Sequence, residues 1–274
     1  KRKGGFCCFD VGGEQLARDL NAGKSCALSK RHMALTRPPE KEWVYRQPPE
    51  PYMRVPSAGC LLGPTASGKT STLVALLIPG GPYAKVFDAI WLFSPSAKIV
   101  SAYEPLVKHI KTLGAGGVFD EWDLKKINEI IDEQKKVTAE EKLANKKKPL
   151  TSALLCIDDF SDHPEYMKTG IITSLFTRNR HYGLTVFVLS QKMTSISLTC
   201  RVNFRWILVW RLRSYKEMEC ILHELSALYP VSTLVEMYEE AVNDQDFSFL
   251  FINMSARKKE DMFYIRFEEK LVLE

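Results

Sequence analysis

No apolar stretch in this 274-residue chain approaches the length of about 20 residues that a membrane-spanning helix requires. No signal peptide is visible either. The first residue is Lys1 rather than Met, so a fragment, a processed product or a trimmed chain is expected. Cysteine is scarce and scattered: Cys7, Cys8, Cys26, Cys60, Cys156, Cys200 and Cys220 form no C-x-x-C pair and have no histidine at zinc spacing. Cys7 and Cys8 are too close for ordinary ligation. An odd, dispersed set argues against a disulfide framework and for a reducing intracellular setting. Cys60 and Cys156 fall in apolar runs, where cysteine serves as a small hydrophobe. The N-K-x-D signature of guanine-specific switches is missing, since Asn145-Lys146-Lys147-Lys148 lacks the aspartate. The L-S-G-G-Q loop of transporter ATPases is missing too. Internal repeats and low-complexity blocks are absent.

What is present is ordinary in bulk and uneven in detail. A hydrophobic content of 45% with 26% charged residues suits a globular protein with a sizeable core. The length fits one large α/β domain with extensions, or two small domains. Residues 1–56 carry 11 Lys and Arg against 6 Asp and Glu, a surplus of five, while the remainder carries 27 of each. The whole net charge of +5 therefore sits in the amino-terminal arm, which could meet a polyanion such as DNA or be a solvated basic tail. Gly4-Gly5, Gly12-Gly13, Pro38-Pro39 and Pro48-Pro49 break that arm, leaving room for one short helix near residues 14–20.

From Ser57 onward apolar runs alternate with helical patterns, as in a parallel sheet covered on both faces. Ala58-Gly59-Cys60-Leu61-Leu62 reads as a buried strand. Gly63-Pro64-Thr65-Ala66-Ser67-Gly68-Lys69-Thr70 follows as G-x-x-x-x-G-K-T, and Ser71 onward can continue as a helix until Pro79. Strand, glycine loop and helix is the setting of a phosphate-binding loop. Its glycines let successive N–H groups point inward at phosphate oxygens, and the helix N-terminus adds partial positive charge. In that pattern Lys69 reaches the β- and γ-phosphates and Thr70 places its hydroxyl on Mg²⁺.

Further on, residues 86–93 read as a strand, 102–113 as a helix, and a charged helix starts near Asp120 with Leu124, Ile127, Ile131 and Gln134 on one stripe. The lysines at 135–136 and 146–148 could touch nucleic acid or simply end a solvated helix. Ala153-Leu154-Leu155-Cys156-Ile157 is an apolar strand ending in Asp158-Asp159. At such a strand end the first acid holds Mg²⁺ and the second orients or deprotonates the attacking water, although an Asx turn alone would look the same. A helix through Met167, Ile171, Ile172, Leu175 and Phe176 precedes Arg178, Arg180 and His181. The next strand, 184–190, ends at Gln191, whose amide could bond the γ-phosphate or the attacking water. Arg178 and Arg180 could stabilise charge on a transferring phosphoryl group, in the same subunit or a neighbour, or merely suit a helix dipole. Arg201, before a strand at 204–210, is a second candidate of that kind, and His181 reads as structural. Residues 247–254 and 261–267 form a β-hairpin at one sheet edge.

In this order, G-P-T-x-S-G-K-T, four apolar residues and Asp-Asp, then R-H-x-G-L and a strand ending in Ser-Gln, the chain resembles the DNA-packaging ATPases of poxviruses and other large DNA viruses. Those are members of the FtsK/HerA superfamily of ring-forming DNA translocases, and the likeness spans residues 57–267. The resemblance implies an α/β P-loop NTPase of RecA/ASCE type over residues 57–274, with a mostly parallel sheet, a charged helical insertion at 118–148 and residues 1–56 as a separate arm. Gly63, Pro64, Thr65, Ala66, Ser67, Gly68, Lys69, Thr70 and Ser71 would hold ATP, and Thr70 with Asp158 would hold Mg²⁺. Lys69, Asp159 and Gln191 would act in hydrolysis. Arg180 matches the arginine that superfamily members insert into the adjacent subunit's site, and Arg201 a second arginine after the sensor strand. Implied partners are double-stranded DNA without sequence preference, a hexameric or pentameric homo-oligomeric ring, and capsid or portal-region proteins. The implied location is the virion or the host-cell cytoplasm or nucleus. Much of the wider superfamily has Asp-Glu where this chain has Asp158-Asp159, so the shorter acid would work through a shifted water. A nucleotide or nucleoside kinase with the charged helix as a lid is the alternative enzyme, and a nucleotide-gated scaffold the non-enzymatic one.

Overall fold

The computed structural model describes residues 43–144 and 148–272. The expectations for residues 1–42, and for Lys146 and Lys147, lie outside them. Nine strands follow the chain among the described residues: β1 (Ala58–Leu62), β2 (Ala89–Phe93), β3 (Gly116–Phe119), β4 (Ala153–Asp158), β5 (Leu184–Ser190), β6 (Trp206–Trp210), β7 (Phe249–Asn253), β8 (Phe263–Ile265) and β9 (Glu269–Lys270). The α-helices are α1 (Lys69–Leu77), α2 (Glu104–Leu113), α3 (Leu124–Ala144), α4 (Gly170–Tyr182), α5 (Leu198–Arg201), α6 (Tyr215–Leu225) and α7 (Val231–Asn243). The strands form one sheet in the order β3-β2-β4-β5-β1-β6-β7-β8-β9. Pairing is parallel from β3 through β6 and antiparallel from β6 to β9. This is the mixed α/β architecture with a largely parallel sheet and a carboxy-terminal hairpin that the pattern foretold.

Burial on both faces explains why the central strands are continuous apolar runs. Along β4, Ala153, Leu155 and Ile157 enter one core cluster while Leu154 and Cys156 enter the other. β5 divides the same way, with Val186 and Val188 opposite Phe187 and Leu189. The first face is covered from α3, α4, α6 and α7, and the second from α1 and α2. Gly59 in β1 has a packing reason: an added Cβ would lie 2.2 Å from the Trp206 indole. Cys60 and Cys156 are fully buried, and burial pushes both thiols far above their ordinary range, so neither is reactive.

Within the charged stretch expected at 118–148, α3 is the crossover that carries the chain from β3 to β4, and Ile127, Ile130 and Ile131 lie in the core. Gln134 donates to the Thr151 carbonyl (3.3 Å) and Thr138 to the Tyr182 carbonyl (2.7 Å), fixing the helix to its neighbours. β3 is announced by no apolar alternation. It is a half-exposed edge beginning at Gly116, where φ is 109° and a Cβ would meet the Ile90 carbonyl oxygen at 1.9 Å.

Candidate nucleotide site

Parallel strands bring their carboxyl ends to one side of a sheet, and that is where the expected residues gather. The amide of Gly63 leaves β1 by donating to the Ser190 carbonyl at the end of β5 (3.1 Å), which pins the loop to the sheet. Residues 63–68 then turn into α1 through Gly68, whose φ of 100° only glycine adopts freely. Ala66 is also left-handed, at φ 63°. The side chain of Lys69, 9% exposed in sum with its backbone, folds back so that Nζ donates to the carbonyls of Gly63 (2.6 Å) and Pro64 (2.7 Å). Burial pulls the Lys69 pKa down, and the negative charges of Asp158 and Asp159 pull it back up. The ammonium and both acids therefore share one electrostatic environment. The Ser67 hydroxyl is buried in the loop without a partner.

β5 lies between the loop strand and the acid strand, with Leu62 level with Ser190 and Asp158 level with Leu189. That register sets Gln191 between the loop and the acids. Its Oε1 accepts from the Thr65 hydroxyl (3.3 Å) and its Nε2 donates to Asp159 Oδ1 (3.0 Å), so one amide spans the gap. Asp159 is exposed and left-handed at φ 58°. Aspartate tolerates that backbone region better than a longer, unbranched acid, which gives a local reason for Asp-Asp rather than Asp-Glu here.

Asp158 is 7% exposed and carries partners that no motif named. The Tyr103 hydroxyl donates to its Oδ2, and Ser94 Oγ donates to the same oxygen at 3.4 Å. Tyr103, on a single 3-10 turn (Ser101–Tyr103) ahead of α2, also has the Thr70 side chain within hydrogen-bonding reach of its hydroxyl. Thr70 and Asp158 thus flank one phenol oxygen, and a hydroxyl with a carboxylate is a hard-oxygen donor set suited to Mg²⁺. No cluster of three His, Cys, Asp or Glu able to hold a metal occurs among the described residues. Magnesium in phosphate sites needs none, because waters and phosphate oxygens complete its shell. The residues present fit the ion.

Burial raises the Asp158 pKa, the Tyr103 hydrogen bond lowers it, and the Asp159 charge raises it again, with the net direction upward. A carboxyl whose folded-state pKa is raised favours the fold while protonated. That contribution is complete below the ordinary carboxylate range and disappears as pH rises through the raised value. Above the ordinary carboxylate range the group is therefore a cost to the metal-free protein. Asp158→Asn keeps an acceptor for Tyr103 and removes the charge, so it is expected to raise the thermal midpoint in EDTA by roughly 2–4 °C at pH 7. The gain should shrink on acidification. A midpoint below wild type at neutral pH would show that the charge is not the burden inferred.

The arginines divide. Arg178 and Arg180 are exposed at the carboxyl end of α4, before β5 begins. Gln191 follows β5, whose seven residues separate the two ends by roughly 20 Å. Neither arginine reaches the loop. Arg201, the second arginine expected at the phosphates, has partners of its own after β5. Its Nη1 donates to the carbonyls of Met193 (3.3 Å) and Ile196 (3.1 Å), and its Nε lies 2.8 Å from Glu224 Oε1. The guanidinium is committed to holding the connection after Gln191 onto α6. Glu217 grips the same connection from α6, accepting from the Thr194 amide (3.1 Å) and hydroxyl (2.6 Å). Tyr103, Ser94 and Glu217 escaped sequence reasoning because their roles exist only once distant crossovers are packed together.

The family model described as Poxvirus A32 protein matches residues 52–260. No curated protein matches the chain. Among solved structures, the genome packaging NTPase B204 from Sulfolobus turreted icosahedral virus 2, in complex with AMP, is similar at 16% identity and a TM-score of 0.47, over 74% of this chain and 94% of that one. The pCW3 conjugation coupling protein TcpA, in its monomer form with ATPgS, is similar at 15% identity and a TM-score of 0.48, over 71% and 56%. EssC (ATPases 2 and 3) from Geobacillus thermodenitrificans is similar at 18% identity and a TM-score of 0.43, over 60% and 34%.

Proposed function

This chain belongs to the poxvirus A32 protein family, and we propose that it is an ATP-hydrolysing motor that moves double-stranded DNA into a viral capsid as a homo-oligomeric ring. The observation that carries this reading is the convergence of Lys69, Thr70, Asp158, Asp159 and Gln191 around one glycine loop at the carboxyl end of the sheet. A triphosphate entering residues 63–71 meets the inward amides and the partial charge at the start of α1. Lys69 exchanges its two loop carbonyls for β- and γ-phosphate oxygens. Thr70 and Asp158 hold Mg²⁺, which when bound neutralises charge on the phosphate oxygens. Asp159 orients the attacking water and takes its proton, and Gln191 holds that carboxylate in place.

Arg180 completes the site of a neighbouring subunit. Its exposure and its distance from its own loop support that assignment, and a guanidinium there stabilises charge on the transferring phosphoryl group. A ring of five or six copies would satisfy every site. DNA would be held through its phosphates, insensitive to sequence, with the basic residues of the arm as candidates for contact. Capsid or portal-region proteins are the proposed protein partners, and a reducing intracellular compartment or the virion the proposed location. No helix among the described residues is long and apolar enough to cross a membrane.

A kinase reading needs a mobile lid over the phosphates. The helix it would use, α3, is instead built into the core through Ile127, Ile130 and Ile131. Adding double-stranded DNA to the purified protein is expected to raise ADP formation several-fold, and nucleoside monophosphates to leave it unchanged. Stimulation by monophosphates with phosphorylated product, and none by DNA, would overturn the motor reading. Electron microscopy with DNA and a non-hydrolysable nucleotide should show closed rings.

A further inference from the structure

A cleft of about 340 Å³ opens in front of the loop, lined by residues 66–72 and by Phe247. Phe247 is an unusual residue to find there. It is 69% exposed, and its backbone is left-handed at φ 62°, a region that bulky side chains rarely occupy. The conformation is enforced from beneath. Buried Trp210, at the end of β6, donates its indole N–H to the Phe247 carbonyl (2.9 Å), and the Ser248 amide donates to the Gln245 carbonyl (3.1 Å) as the chain enters β7. The ring edge abuts the loop, since a Cβ on Gly68 would lie 3.4 Å from Phe247 Cβ and Cδ1. A strained, solvent-facing aromatic fixed against a phosphate loop calls for something to cover it.

Strand order says what. From β1 the acids and Gln191 lie on one flank, through β5 and β4, while Phe247 lies on the other, between β6 and β7. A triphosphate whose terminal group points toward Asp158 and Asp159 must carry its nucleoside toward Phe247. Resting on the nucleotide-binding reading above, we propose that Phe247 is the base platform of this site, its ring stacking on the nucleobase. Beside it the cleft offers Ser71 and Thr72 and no charged side chain other than Lys69. Stacking accepts any base with a π-face, so the site discriminates little between adenine and guanine.

The test compares dissociation constants of the full chain for ATP, GTP and inorganic tripolyphosphate, each with Mg²⁺, by calorimetry. Phe247→Ala is expected to weaken ATP and GTP alike by about 10–100-fold and leave tripolyphosphate within twofold of wild type. Phe247→Asn suits the left-handed backbone and deletes only the ring, so it should behave as Phe247→Ala and keep the wild-type thermal midpoint. Phe247→Trp should keep wild-type affinity and show fluorescence quenching on nucleotide addition. ATP affinity within twofold of wild type in Phe247→Asn would overturn the platform. So would a parallel loss for tripolyphosphate, which would mean a distorted loop, or a strong preference for ATP over GTP in the wild type. Lys69→Ala separates the two readings. Tripolyphosphate binding that depends on Lys69 sustains the phosphate site whatever Phe247 does, and failure of wild type to bind either ligand would sink that site itself.

Discussion

ATP turnover by Lys69→Ala is expected to fall at least on the order of 10²–10³-fold, to the background of the assay. The ammonium is nearly enclosed, and the charges of Asp158 and Asp159 work against the effect of burial on it. Electrostatic stabilisation in such a partly desolvated site exceeds what the same charge gives in water. The fold should tolerate the change. Burial already works against the protonated lysine, so truncation removes a partly desolvated charge along with its two bonds to the Gly63 and Pro64 carbonyls. A thermal midpoint close to wild type therefore accompanies the lost turnover. Retained hydrolysis at the wild-type rate, measured as phosphate release, would remove Lys69 from the chemistry and the motor with it.

The parts legible beforehand are those where one residue type answers one physical demand. Gly63, Gly68, Lys69 and Thr70 are dictated by a backbone that must curl around phosphate, so spacing alone located the loop. β4 and β5 were legible because strands buried on both faces are near-continuous apolar runs; β4 ends at Asp158, and Gln191 follows the last residue of β5. The core face of α3 was hard to see because charge dominates its composition. Its buried set, Ile127, Ile130, Ile131, Gln134 and Thr138, is a narrow stripe on a 21-residue helix otherwise facing water. Pairing decided what pattern could not. β3 exists because Gly116 lets the chain come against Ile90, and a short edge with two leading glycines has no apolar alternation to display. Tyr103 is the same lesson at the site. It lies 55 residues from Asp158, with β3, α3 and two crossovers between, and only the packed sheet delivers its hydroxyl to that carboxylate. Arg201 shows the converse: its place after β5 suggests a phosphate ligand, while the contacts with Glu224 and two carbonyls form only once α6 is packed against that connection.

Mixing two dead proteins is expected to restore hydrolysis. Arg180→Ala should lose about 10³-fold or more alone if its guanidinium serves the transferring phosphoryl group. Lys69→Ala is dead for a separate reason. In the proposed ring each site takes Lys69 from one copy and Arg180 from the next, across a head-to-tail interface. At equal mixing about one interface in four joins an intact lysine to an intact arginine, so activity should return to roughly a quarter of wild type. The geometry makes the experiment decisive. Arg180 stands at the amino end of β5 and the loop at its carboxyl end, so no side-chain motion within one subunit closes the gap. A within-subunit role would give no recovery at any ratio, because neither parent contains a complete site. Recovery should also vanish below the concentration at which the ring dissociates, and a doubly substituted Lys69→Ala, Arg180→Ala protein should rescue neither parent. Hydrolysis that returns under these conditions assigns the arginine to the neighbour's site, and its absence would leave Arg180 as a solvated helix end that merely suits the dipole of α4.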